Sequence, residues 1–312
     1  MAQETSTQAR AERYLEDRTL RDRIEENWVG YVFIVPVFAM FTLLFYYPIV
    51  RGIRMTFTEY SLGGVNPFVG LDNYAWLLTN DLFFYSLGWT LVFVFSTTIL
   101  QLLVGLVVAL LLNELVARRR QWMSAVVMSP YFAAPVAGGV LWYWFLHPNF
   151  GFLTRIFVEL NMPPIYFLNE GLWPFVSLIL AQTWHDYAYA AIIYTAALAS
   201  IPRAQYEAAA IEGANRLRRF RDITVPHLLI PTIIILAIRT AYNISEFAQP
   251  FQMTGGGPGT KTMLLSILTY QVAFVNLQFS RAYVIGISMM LISMTAAVIY
   301  VVSIREEDEL YI

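Results

Sequence analysis

Residues 201–226, IPRAQYEAAAIEGANRLRRFRDITVP, separate two long apolar stretches and carry five arginines. Their first half, from Arg203 to Glu212, is rich in alanine, the strongest helix former. It follows Pro202, whose fixed φ and missing N–H suit a helix start. Gly213 ends or kinks that helix, because glycine enters left-handed backbone space without steric cost. A second short helix is then expected to run to Pro226. The stretch reads as a compact helix–turn–helix held between two membrane spans.

The flanking chain has the composition such a reading needs. Of 312 residues, 58% are hydrophobic and only 13% charged, with a net charge of −2. A soluble globular chain carries about 25% charged residues. Mean hydropathy is +0.55. This balance excludes a disordered chain, a nucleic-acid binder with a basic face, and a soluble enzyme of this length. The absence of cysteine excludes disulfides, cysteine-ligated zinc and thiol catalysis. His147, His185 and His227 form no H-x-x-x-H pair, so no metal site is expected.

A span needs about 20 apolar residues to cross roughly 30 Å of hydrocarbon. Six stretches meet this, at about residues 28–50, 84–112, 122–146, 172–200, 227–249 and 282–304. The expected fold is an all-α polytopic membrane protein with six transmembrane helices. Residues 1–27 form a polar tail, 28–50 the first transmembrane helix, and 51–83 an external loop. Residues 84–304 form a five-helix core that includes the 201–226 loop, and 305–312 form a C-terminal tail. The first span follows 27 mostly polar residues and no small-residue cleavage site comes after it, so it reads as a retained helix and not a signal peptide. Leu20, Ile24 and Trp28 recur every four residues, which suits an interfacial helix, although a solvated tail fits equally.

Basic residues set the orientation. The N-terminal tail, the 113–121 loop, the 201–226 loop and the C-terminal tail hold fourteen arginines; the opposite loops hold Arg51, Arg54, Arg155, Lys261 and Arg281. Every alternate loop agrees, which places both termini in the cytoplasm of a multi-pass protein of the cell membrane.

In the long cytoplasmic loop, Glu207, Ala208, Ala209, Gly213, Ile223 and Pro226 fall in register with the pattern E-A-A-x3-G-x9-I-x-L-P. That pattern resembles the EAA loop of ATP-binding-cassette importer permeases; Val225 stands where leucine is usual. The resemblance implies a type I importer fold whose loop docks as a coupling helix into a groove on an ATPase subunit. Small residues such as Ala208, Ala209 and Ala210 permit close approach, and Glu207 is placed to pair with a basic residue across the contact. Two further segments narrow the likeness. Phe68-Val69-Gly70-Leu71-Asp72-Asn73-Tyr74 is similar to a motif of carbohydrate-importer permeases related to the maltose and glycerol-3-phosphate systems. Met253 to Thr260, followed by Tyr270 and Ala273-Phe274, resembles a T-x-G-G-P segment after the fifth span of the same permeases. The implied partners are a second homologous permease chain, the ATPase subunits, an external solute-binding protein, membrane lipid and a small-molecule sugar, with no nucleic acid. No cofactor is expected in this chain, since ATP would be bound by the ATPase. The glycine-rich stretch is not a phosphate-binding loop, because Thr260 precedes Lys261 where G-K-[ST] requires glycine.

Ionisable residues inside spans are costly and are candidates for the transport path. Arg239, Asn243 and Glu246 lie at i, i+4 and i+7 in the fifth span, and Gln182, Asp186 and Tyr189 share that spacing in the fourth. Asp186 and Arg239 either form a buried structural pair or line a cavity with Asn243 and Glu246. Trp184, Tyr187, Tyr189 and Tyr242 are candidate aromatic faces for sugar. Gly105, Gly138 and Gly139 are expected at close helix contacts, and Pro130 and Pro135 are expected to bend the third span. A secondary transporter using Asp186 or Glu246 is the rival reading, but it predicts inverted repeats and gives no reason for the EAA loop. An importer of a non-sugar solute is a second alternative. A membrane enzyme would need a nucleophile–base or metal cluster.

Overall fold

A computed structural model describes residues 28–60, 66–114 and 117–308. The interfacial helix expected before Trp28, the last residues of the C-terminal tail and the side chains of Arg118 and Arg120 lie outside the described residues. The chain divides into two compact units, residues 1–55 and 56–312.

The first unit holds most of α1 (Trp28–Thr56), six residues longer than the sequence pattern. It contains Pro36, and a π-helical turn at Thr42–Tyr46 precedes Pro48.

Among its described residues the second unit consists of helices joined by turns and loops, with one antiparallel bridge between Thr58 and Phe68. Its helices are α2 (Asp72–Leu78), α3 (Asp81–Asn113), α4 (Ala117–Met128), α5 (Pro135–Phe145), α6 (Phe152–Glu159) and α7 (Trp173–Ser200). They are followed by α8 (Arg203–Ile211), α9 (Arg216–Ile244), α10 (Ala248–Thr254), α11 (Leu265–Val275) and α12 (Phe279–Asp308). Among the described residues, α1, α3, α9 and α12 are long and apolar enough to cross a membrane. The pair α4–α5 makes a fifth candidate, bent by 92°. The bend falls where the chain passes from a short 3-10 turn, Ser129–Phe132, into α5, whose first residue is Pro135. Proline disfavours helical geometry in the residue before it, so the helix must stop and restart.

The helix over the expected fourth span, α7, falls outside this apolar set for a physical reason. At 28 residues it is long enough, but Gln182, Thr183, His185 and Asp186 lie in its middle. All four are buried, so their polarity faces protein and not lipid, and Gln182 and His185 both hydrogen-bond to Asp186 there. Its closest neighbour is α3. A Cβ on Gly105 would come within 2.6 Å of Ala190 Cβ, so only glycine permits this approach. Gly139 plays the same part between α5 and α10, where a Cβ would meet Gln252 Cβ at 2.8 Å. One apolar cluster, around Phe93, Phe175, Leu178 and Leu264–Leu268, joins α3, α7, α11 and α12. A second, around Leu102, Ala109, Tyr194, Leu198, Leu228 and Ile235, joins α3, α7 and α9.

The Phe68–Tyr74 motif acts as a clamp. Asn73 is buried and its amide donates to the carbonyls of Thr56 at 2.8 Å and Thr58 at 3.1 Å. Tyr74 and Thr56 hydroxyls meet at 2.8 Å. The motif therefore fixes the entry into α2.

Two expectations change. The fifth span does not extend to residue 249: α9 ends at Ile244, and α10 starts at Ala248. Nor does the second helix of the 201–226 loop stop at Pro226. It continues into the span through a π-helical turn at Phe220–Thr224, with Val225 N–H bonded to the Phe220 carbonyl. Proline cannot donate to the carbonyl four residues back, and a widened turn removes that demand just before it.

Candidate functional site

The 203–226 segment is built from two helices joined by a sharp turn. Pro202 caps α8 in extended conformation, and α8 runs nine residues. Gly213 has φ +84°, so the chain reverses at a position that favours glycine. Asn215 then starts α9, its Oδ1 accepting the Arg218 N–H at 2.8 Å. Glu207, Ala208, Ala210 and Pro226 are exposed, while Ala209 and Ile223 are half-buried. Ile211 is 88% exposed and Leu217 74%. These two large apolar side chains are left uncovered by the rest of the chain. The inner face of α8 is held by Tyr206, whose hydroxyl meets the buried Thr224 hydroxyl at 2.9 Å. Tyr206 and Thr224 were not singled out in the sequence. Their signal was faint: a hydroxyl pair eighteen residues apart, joined only when the turn at Gly213 folds the two helices together.

The second constellation lies inside the helix bundle. Asp186 of α7 and Arg239 of α9, each 5% exposed, form an ion pair through Oδ2 and Nη2. The other Asp186 oxygen meets His185 Nδ1 at 2.8 Å, and Gln182 Nε2 donates to Oδ2 at 2.6 Å. Arg239 Nε donates to Gln101 Oε1 at 3.1 Å and its Nη2 to Asn243 Oδ1 at 3.3 Å. Asn243, 1% exposed, donates onward to Thr98 at 2.9 Å and Gln101 at 3.2 Å. His185 Nε2 meets the Ala133 carbonyl at 3.0 Å, in the break between α4 and α5. One network thus ties α3, α7 and α9 to that break. Two opposite charges in a dry interior are tolerable only with such pairing, because desolvation costs several kcal/mol per ion.

This arrangement sorts the expected path residues. Asp186, Arg239 and Asn243 come together but are closed off within the chain, so Asn243 lines no open cavity in this conformation. Glu246 does not join them on a shared helical face, because α9 ends two residues before it. Its carboxylate instead faces the backbone N–H of Gln249 at 3.4 Å, near the start of α10. Trp184 is half-buried, edge-on to Trp142 at 5.9 Å between ring centres. Tyr189 is half-buried and Tyr242 exposed, and their ring centres lie 5.7 Å and 5.8 Å from the Arg239 guanidinium carbon. Gln101 and His185 were missed in the sequence. Gln101, a lone amide in an otherwise apolar span, was the available signal.

The family model described as binding-protein-dependent transport system inner membrane component matches residues 21–306. The sulfoquinovosyl glycerol transport system permease protein of Agrobacterium fabrum is 31% identical over 290 residues, covering 91% of this chain and 92% of the relative. The trehalose/maltose transport system permease protein of Thermococcus litoralis is 29% identical, with 81% and 85% covered. A crystal structure of a bacterial ABC transporter involved in the import of the acidic polysaccharide alginate has a chain that superposes with a TM-score of 0.81, covering 92% of this chain and 98% of that one. At 22% identity this last likeness is one of fold, that of the type I importer permeases. The chain belongs to the family of binding-protein-dependent transport system inner membrane components, and it is a multi-pass membrane permease rather than an enzyme.

Proposed function

We propose that this permease is one membrane-spanning subunit of an ATP-driven carbohydrate importer of the cell membrane. It pairs with a second, homologous permease chain, and each docks an ATPase through its own 203–226 segment. An external solute-binding protein delivers the sugar. The sugar-related names of the relatives support the substrate class. The chain crosses six times, with α7 as the span hidden from lipid and both termini in the cytoplasm; the alternation of basic loops supports this. Mechanism is alternating access: ATP binds the closed ATPase dimer better than the open one, and that difference in affinity drives the shift.

The observation that carries the reading is the unbroken backbone from the exposed turn into the bundle. Displacement of Glu207–Gly213 by a partner is carried along α9 past the π-helical turn at Phe220–Thr224 and past Pro231, because Arg216–Ile244 remains one continuous helix. Arg239 sits on that same helix, so the movement acts directly on the buried ion-pair network. In this reading Asp186, Arg239 and Asn243 hold helix register in the observed state. Trp184, Tyr189 and Glu246, each half-buried, remain the candidates for the path.

The test is uptake into proteoliposomes holding both permeases and the ATPase, with sugar-loaded binding protein outside and ATP inside. Concentrative, ATP-dependent uptake of one sugar class is expected. Uptake by the purified permease alone, driven by a proton or sodium gradient, would replace this reading with secondary transport.

A further inference from the structure

A cleft of about 570 Å³ opens where the ends of α3 and α7 meet the starts of α8 and α9. Its rim carries Arg203, Arg216 and Arg219 against a single acid, Glu114, and its wall includes Leu110 and Leu198. Arg203 and Arg216 are the first residues of α8 and α9, so the positive ends of two helix dipoles border the cleft. The start of α8 has no side-chain cap. Among the described residues, Asp222 is taken by Arg218 at 3.5 Å and Arg221 at 3.7 Å, and none of the three rim arginines is in an ion pair. The Nε of Arg219 is buried and without a hydrogen-bond partner. A guanidinium with an unmatched donor and no ion-pair partner is costly, and an anion held in the cleft would offset its charge.

We propose that this cleft binds a phosphate group, and that the phosphate is the headgroup of an anionic phospholipid. Phosphate suits a planar guanidinium fork, and helix starts add backbone N–H groups and dipole. The wall chooses the source. Leu198 belongs to the apolar cluster shared by α3, α7 and α9, and Leu110 packs against it. The cleft lies at the end of α3, a helix of 33 residues that spans the membrane. An amphiphile is thus offered apolar contact on one side and guanidinium on the other. A free anion would use only the second. The proposal rests on the multi-pass fold and not on the docking of an ATPase.

The experiment uses the assembled transporter in nanodiscs of phosphatidylcholine, with or without phosphatidylglycerol, read by native mass spectrometry. Wild type is expected to retain phosphatidylglycerol in preference to phosphatidylcholine. Retention should fall on the order of tenfold in R216Q/R219Q, equivalent to one charge-assisted contact, and return largely in R216K/R219K. Should R216Q/R219Q fail to assemble, Arg203→Gln provides the same comparison at the edge of the cleft. A second arm titrates inorganic phosphate against delipidated transporter and follows the thermal midpoint. Equal retention of phosphatidylglycerol by wild type and glutamine variants overturns the proposal. Protection by inorganic phosphate that phosphatidylglycerol does not displace assigns the cleft to a soluble anion and overturns the lipid source.

Discussion

The carboxylate of Asp186 and the guanidinium of Arg239 stand at the centre of the bundle with their charges spent on each other and on amides from three helices. Removing one partner strands the other in a dry interior, which costs about 3–5 kcal/mol. Arg239→Ala and Asp186→Ala are each expected to lower the thermal midpoint in detergent and reduce assembled transporter. The exchange D186R/R239D should recover part of the loss. Normal assembly and uptake in both alanine variants would remove the pair from any structural role. Tyr206→Phe tests a smaller effect. It deletes one partly buried hydrogen bond to Thr224, worth about 1 kcal/mol. The expected result is retained ATPase binding with weaker stimulation of ATP hydrolysis, measured on the reconstituted complex.

At the scale of the element, small residues decide where helices touch. Gly105→Ala would drive a methyl group to 2.6 Å from Ala190 Cβ, with a backbone N of Ala191 at 2.9 Å. Neither helix can yield there without repacking, so a loss of about 1–3 kcal/mol is expected. An unchanged thermal midpoint would show that α3 and α7 have slack the geometry does not display. Helix positions and the turn at Gly213 were legible in the sequence because apolar runs, alanine content and one glycine speak locally. The break after Ile244 was not, since Ser245, Glu246 and Phe247 carry no glycine or proline to announce it. That is why Glu246 seemed to share a face with Arg239. The continuity of α9 through Pro226 was also hidden. Proline usually marks a boundary, and only the widened turn at Phe220–Thr224 lets the helix pass. The network was half legible: spacing suggested Asp186 and Arg239, but Gln101 and Thr98 lie about 140 residues from their partners on α9. Pairings of that separation follow from the helix packing, which no local pattern encodes.

For the whole molecule, the lack of cysteine makes orientation directly measurable. A single cysteine at Gly213 is expected to react with a membrane-impermeant maleimide only after the cytoplasmic face is opened. One at Thr260 should react from outside in intact cells. The reverse pattern would invert the topology and remove the 203–226 segment from reach of ATP-bearing partners. The central claim is that this segment is the mechanical link between an external motor and the bundle. Gly213→Pro tests it most directly, because proline cannot adopt φ +84° and the reversal between α8 and α9 must fail. The decisive measurement is ATP-driven uptake and ATP hydrolysis by the reconstituted complex carrying Gly213→Pro. The expected result is a correctly inserted permease with α3, α7 and α9 folded, no uptake, and no stimulation of hydrolysis by loaded binding protein. Wild-type uptake with wild-type stimulation would contradict it.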